Sequence, residues 1–187
     1  MARKALFSDA QVFETVGRLM AKQGAVTTSA VQEAAKLSTG SLYHRFGSRE
    51  GLLAETWAFA LLSFQPQFVE ALAVPDKPVG EIAAVTPRFC REHRAQALIL
   101  SCCNARQFMS EDTPHAIRLK IEEANQATGI ALKECAQRRG FDLAACRLAL
   151  IAFPLAAVQQ YLPDREVPLD GDQHVAHAAH AMLESEE

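Results

Sequence analysis

The sequence predicts an all-α fold in two parts, a small helix-turn-helix head at residues 1–47 and a larger helical body at residues 48–187, about nine helices in total. Three observations carry this prediction. Ala, Leu, Glu and Arg dominate the chain, and no segment alternates apolar and polar residues long enough to make a strand. Hydroxyl residues stand directly before short apolar periods at Ser8, Thr27, Ser38 and Ser48, the pattern of helix N-caps. Residues 1–55 carry seven Lys/Arg against five acids, whereas the remaining 132 carry 12 against 17, so the two parts have different partners.

Ser8, with Gln11 in the capping-box position, starts a first helix whose stripe is Val12, Val16 and Met20, and Gly24 ends it. Two short helices of nearly the same grammar follow. Thr27 is flanked by Val26 and Val31, and Ser38 by Leu37 and Leu42. Each is a capped helix with an apolar staple across its first turn. Phe46-Gly47 closes the third helix and Ser48 caps a fourth through Leu52, Leu53 and Trp57, which Pro66 can kink and Pro75 and Pro78 terminate.

Prolines punctuate the body. A fifth helix is expected from Val79 to about His93, interrupted at Pro87, and a sixth from Arg94 to Met109. Thr113-Pro114 signals the start of a long helix that Gly140 ends. Asp142 caps the next, which contains the 11-residue apolar run Leu148 to Val158 and Pro154. After a loop bounded by Pro163 and Pro168, Asp170 or Asp172 starts a last helix to about Leu183.

Several function classes are disfavoured. The longest apolar run is about half of the roughly 20 residues a membrane span requires, and the N-terminus has no secretory pattern, so a soluble, cytoplasmic protein is expected, with no membrane partner. Glycine-rich phosphate loops, nucleophile elbows and metal-hydrolase motifs are missing, so no enzyme, no catalytic residue and no cofactor is expected. Five cysteines without CxxC spacing read as buried thiols. Cys102-Cys103 is the one pair with a redox reading, Arg106 being placed to lower a thiol pKa. Cys90 with His93, and His174, His177 and His180, share helix faces at metal-ligand spacing but lack a third ligand, so no metal site is expected.

The stretch Thr27 to Arg49 carries the functional signal. Two capped helices joined by a short turn give helix-turn-helix geometry. In the second, Leu42 and Phe46 face inward, leaving Thr39, Gly40, Ser41, Tyr43 and His44 pointing outward from its N-terminal end. Those side chains and the free N–H groups of a helix start suit phosphates and base edges. Arg45 and Arg49 are expected to reach phosphates on one side, Thr28 and Ser29 on the other, and Arg3 and Lys4 form a basic arm.

Residues 8–57 resemble the DNA-binding domain of the tetracycline-repressor (TetR) family of bacterial transcriptional regulators. The carriers are Val12-Phe13, Gly24, Thr27-Thr28, Ala34-Ala35, the run Ser38 to Phe46, and Ser48-Arg49-Glu50-Gly51-Leu52-Leu53. The resemblance implies DNA contacts for Thr28, Thr39, Gly40, Ser41, Tyr43, His44 and Arg49. It also implies a sequence-specific regulator, a repressor that a small, largely apolar effector releases from a palindromic operator in double-stranded DNA. Two positions depart from the family pattern: Lys36 stands where the turn often has Gly, and Gln32 where a small Ala is usual.

For the body, the resemblance implies effector binding and dimerisation. The all-round apolar run and the stripe Val175, Ala178, Ala179 and Met182 argue independently for a homodimer through the last two helices. Candidate ligand contacts are Phe89, Cys90, His93, Cys102, Cys103, Phe108, Phe153 and Tyr161. The rival reading is a helical small-molecule binding protein whose head no longer reads DNA.

Overall fold

A computed structural model describes residues 8–184, which are helical with no strand among them. The expected basic arm, Arg3 and Lys4, lies outside the described residues. The head is α1 (Asp9–Gln23), α2 (Thr28–Ala35) and α3 (Thr39–Phe46). In the head each expected cap forms. Ser8 accepts from the Gln11 N–H in a full capping box, Thr27 from Ala30 and Ser38 from Ser41. Val12, Val16, Val31 and Leu42 are fully buried in the head's core, and Phe13 bridges Phe46 and Phe59 with ring centroids 5.5 and 5.3 Å away.

The turn between α2 and α3 is left-handed at Lys36, with φ 51° and ψ 39°. A Cβ in that conformation costs about 1–2 kcal/mol, which is why glycine is the common solution. Lys36→Gly is therefore expected to stabilise the protein by about 1 kcal/mol, read as a rise in urea midpoint at constant slope.

α4 (Arg49–Ala73) starts in the head and runs into the body. Ser48 caps it through the Gly51 N–H. A Cβ at Gly51 would overlap the Phe46 carbonyl, so the end of α3 lies against the first turn of α4 only with glycine there. Pro66 sits within α4 without ending it.

The body continues with α5 (Val79–Ala83), α6 (Val85–Glu92) and α7 (Arg94–Cys102). The break expected at Pro87 falls earlier, at Ala84. Pro87 lies in the first turn of α6, where a missing N–H costs no intrahelical bond. The sixth expected helix also stops short, at Cys102 rather than Met109. Asn104 begins a separate 3-10 turn, Ala105–Gln107, because its side chain accepts from the Arg106 N–H while Gln107 accepts from Asn104.

The long α8 (His115–Arg139) ends at the left-handed Gly140. Thr113 does not cap it. Its hydroxyl accepts from the Ser110 N–H and closes the preceding turn instead. Asp142 caps α9 (Leu143–Arg147), which continues without a gap through a π turn, Leu148–Ala152, into α10 (Phe153–Gln159). Pro154 lacks the N–H that would continue the α-type ladder, and the turn before it widens so that the Phe153 N–H reaches the Leu148 carbonyl.

α11 (Gly171–Leu183) closes the body. Neither candidate acid caps it through its side chain; Asp172 instead binds Arg88 and Arg91 on α6, at 3.0 and 2.8 Å. The body's core joins Phe68, Leu72, Val79, Ile82, Leu132, Leu150, Val175 and Ala179. α1 packs against α7 at Gly17, where an added Cβ would overlap Ile99. α4 and α7 thus both pack directly against α1 of the head.

Candidate nucleic-acid interface and ligand cavity

The head presents the N-terminal half of α3. Leu42, at 0 % exposure, anchors the helix, and its partners on the opposite face stay in solvent. Thr39, Gly40, Tyr43 and His44 are exposed and Ser41 is half-buried. Nothing lies within 4 Å of a Cβ built at Gly40, so this glycine meets no packing constraint from its own chain. On α2, Ser29 is exposed and Thr28 half-buried, with the Ser29 hydroxyl 3.2 Å from that of Thr27. Lys36, in the left-handed turn at the other end of α2, is exposed.

The two arginines expected to reach phosphates are both engaged by partners within the head. Arg45 makes an ion pair with Asp9 at the start of α1 and lies over the Phe46 ring. The Nε and Nη2 of Arg49 donate to the Val26 carbonyl at 3.2 and 2.9 Å, and its Nη1 is 3.5 Å from Glu50. Both side chains therefore fix α3 and the start of α4 to α1 and to the turn before α2. Their direction depends on partners 36 and 23 residues away in sequence, which local spacing does not reveal.

The body has a half-open cavity of about 300 Å3 between α4, α6, α7, α8 and the helix through the π turn. Of the expected ligand contacts, Phe89 and Cys90 line it. His93 stacks behind Phe89 at 4.8 Å, and Phe108 is buried against Trp57 at 5.5 Å. Phe153 and Tyr161 line a second, more polar cavity that includes His174. Cys102 and Cys103 line neither.

The sequence reading missed the contribution of α4: Trp57, Leu61, Phe64, Gln65 and Phe68 form one wall. Their spacing of three and four residues was visible, and a glutamine in that apolar stripe was the available signal. Phe64 packs edge-on against Phe89 at 5.1 Å, closing that corner.

The cysteines lack the surroundings of reactive thiols. Burial pushes Cys90, Cys103 and Cys146 up to about 11 and also raises Cys102. Arg106 is not on the same helix as Cys102, since α7 has ended; the cation facing Cys102 is Arg94. Each native thiol holds its proton above the pH at which the unfolded thiol ionises, near 9.0. Stability is therefore expected to be intact below pH 9 and to fall between about 9 and 11, as the unfolded chain loses thiol protons first. Urea titrations across that window check the sign. A thiol–disulfide reagent at neutral pH should react with the folded protein far more slowly than with the unfolded chain. Among the described residues, no group of three or more His, Cys, Asp or Glu is placed to hold a metal ion, and no helix is long and apolar enough to cross a membrane.

Comparison with known proteins agrees with this arrangement. The sequence profile of bacterial regulatory proteins of the tetR family matches residues 18–56, from the middle of α1 into α4. No curated protein sequence matches the chain. Among solved structures, the TetR-family transcriptional regulator PfmR from Thermus thermophilus superimposes with a TM-score of 0.72 at 22% identity, covering 95% of this chain and 99% of that one. The fatty acid degradation regulator FadR from Bacillus halodurans gives 0.66 at 16% identity, covering 96% of each chain. The ketosteroid transcriptional regulator KstR2 of Mycobacterium tuberculosis gives 0.64 at 18%, covering 98% of each. The chain thus carries the tetR-family sequence pattern over residues 18–56 and has, along its described length, the fold of TetR-family transcriptional regulators.

Proposed function

We propose that the protein is a sequence-specific, homodimeric DNA-binding regulator, a repressor that leaves a palindromic operator when a small, largely apolar effector enters the body cavity. The observation that carries this reading is the exposed N-terminal half of α3, set on a buried Leu42 and held from behind by Arg45 and Arg49. Thr39, Gly40, Ser41, Tyr43 and His44 enter the major groove, while Thr28, Ser29 and Lys36 meet flanking phosphates. Arg45 and Arg49 act as positioning residues. The head corresponds to residues 1–47 and the body to 48–187.

Dimerisation is supported by what one subunit leaves uncovered. Leu148, Ala152 and Ala156, spaced four residues apart, are exposed along the helix through the π turn, with Leu148 at 53 %. On α11 the expected stripe is only partly available, because Val175 and Ala179 are fully buried in the subunit's own core, and Met182, at 37 % exposure, remains uncovered. A second copy of these two helices covers the stripe across a two-fold axis and supplies the second reading head.

α7 offers a route for control. Ala97, Leu100 and Ser101 line the cavity, while Ile99 of the same helix packs on Gly17 of α1. An effector that prefers one position of α7 alters the spacing of the two heads. A coupling of about 1–3 kcal/mol is enough to release DNA.

Gly40→Ala tests the reading role of α3. With open space at the Cβ and a helical backbone, the substitution is expected to raise stability by about 0.5–1 kcal/mol. It also places a methyl group on the groove-facing surface, and operator affinity should fall in the same protein. A more stable variant with undiminished affinity would remove this face from the interface. Lys36→Gly should weaken binding evenly across sequences and reduce the salt slope by about one counterion.

A further inference from the structure

Among the described residues that line the cavity, Gln65 carries the one fully buried side-chain polar atom without a partner. Gln65 is 8 % exposed in the middle of the apolar stripe of α4. Its Nε2 donates to the Asn125 Oδ1 of α8 at 2.9 Å, which fixes the orientation of the amide. Its Oε1 is buried and accepts no hydrogen bond from any described residue. Leaving a buried carbonyl unmatched is costly, and a small shift of the wall would present it to whatever fills the adjoining cavity.

The rest of the lining narrows the ligand further. Thr128 already donates to the Ala124 carbonyl, and the remaining polar side chains of the lining are the Thr86 and Ser101 hydroxyls and the Cys90 thiol. Among the described residues that line the cavity, none is Lys, Arg, His, Asp or Glu, so a charged group entering it meets no counterion. An apolar cavity of about 150 Å3 accepts benzene. At about 300 Å3, this one has room for roughly twice as many atoms, on the order of a dozen non-hydrogen atoms.

We propose that the effector is a compact, uncharged, predominantly apolar molecule bearing one hydrogen-bond donor, a hydroxyl or an N–H, which it gives to the Gln65 Oε1. This inference rests on the reading of the cavity as the effector site, and it adds the polarity and charge of the ligand. Free carboxylates, including fatty acid anions, are excluded from the buried space by the same lining.

Four probes of nearly equal size separate the alternatives by calorimetry at neutral pH: naphthalene, 2-naphthol as donor, α-tetralone as acceptor only, and the 2-naphthoate anion. The naphthol is expected to bind at least fivefold more tightly than naphthalene or tetralone, and naphthoate most weakly. Gln65→Leu is expected to abolish the preference for naphthol while keeping or improving affinity for naphthalene. The wild-type ranking stands as a test even if that variant does not fold. Binding of naphthol and naphthalene with equal affinity to the wild-type protein would leave the cavity a ligand site and overturn the role of Gln65. A preference for tetralone or naphthoate would overturn the donor or the neutrality. Failure of all four probes to bind would overturn the cavity reading, and the inference with it.

Discussion

Replacing Tyr43 with Ala is expected to weaken binding to the cognate duplex by roughly tenfold or more, corresponding to about 1–3 kcal/mol, without lowering the urea midpoint. Tyr43 is 43 % exposed, points about 100° around α3 from Leu42 and is not part of the head's buried cluster, so removing its ring leaves that core in place. Anisotropy with a labelled operator gives the affinity, and a denaturation curve on the same sample gives the stability. If affinity is unchanged, α3 does not enter the groove in the orientation described.

Leu42→Ala is the converse case. Leu42 is fully buried among Val12, Val16, Val31 and Leu52, and the truncation is expected to cost about 2–5 kcal/mol. Against a total stability of about 5–15 kcal/mol for an ordinary domain, that is enough to loosen the head. DNA binding should be lost along with the cooperative unfolding of α1 to α3. Most of the cavity rests on a second core around Phe68, Leu72, Ile82 and Leu150, so probe binding there should be affected less than DNA binding. Loss of both activities together would mean that head and body unfold as one unit. The two neighbouring substitutions would thus separate the DNA contact proposed for Tyr43 from the packing role of Leu42.

The head was the more legible part because its signals are local. A hydroxyl cap acts on a backbone N–H three residues away, and Ser8, Thr27, Ser38 and Ser48 therefore mark their helices in the sequence itself. The departure at Lys36 was equally visible, and it falls on a left-handed residue. Long-range partners were not legible. Nothing near Arg49 announces that the Val26 carbonyl, across the head, will accept its guanidinium.

In the body, Pro154 marked a disturbance of its helix, but the form of that disturbance, a π turn before the proline, depends on how Ala149 and Leu150 pack into the core. The cavity was half legible. Phe89 and Cys90 were named from the body's own helices, whereas Trp57 to Phe68 belong to the helix that leaves the head, and only the packing of α4 against α8 makes that stripe a wall.

The central claim is that the exposed face of α3 reads a defined DNA sequence in pairs. The most direct test is repeated selection of random-sequence duplexes by the purified protein at about 0.15 M salt, followed by measurement of subunits bound per selected duplex. The account predicts enrichment of one motif with two inverted half-sites about one helical turn apart, roughly 34–36 Å, bound by two subunits or a multiple of two. Its enrichment should also disappear for the Tyr43→Ala protein. A pool that stays random through successive rounds, while the same protein binds apolar probes in its cavity, would contradict it.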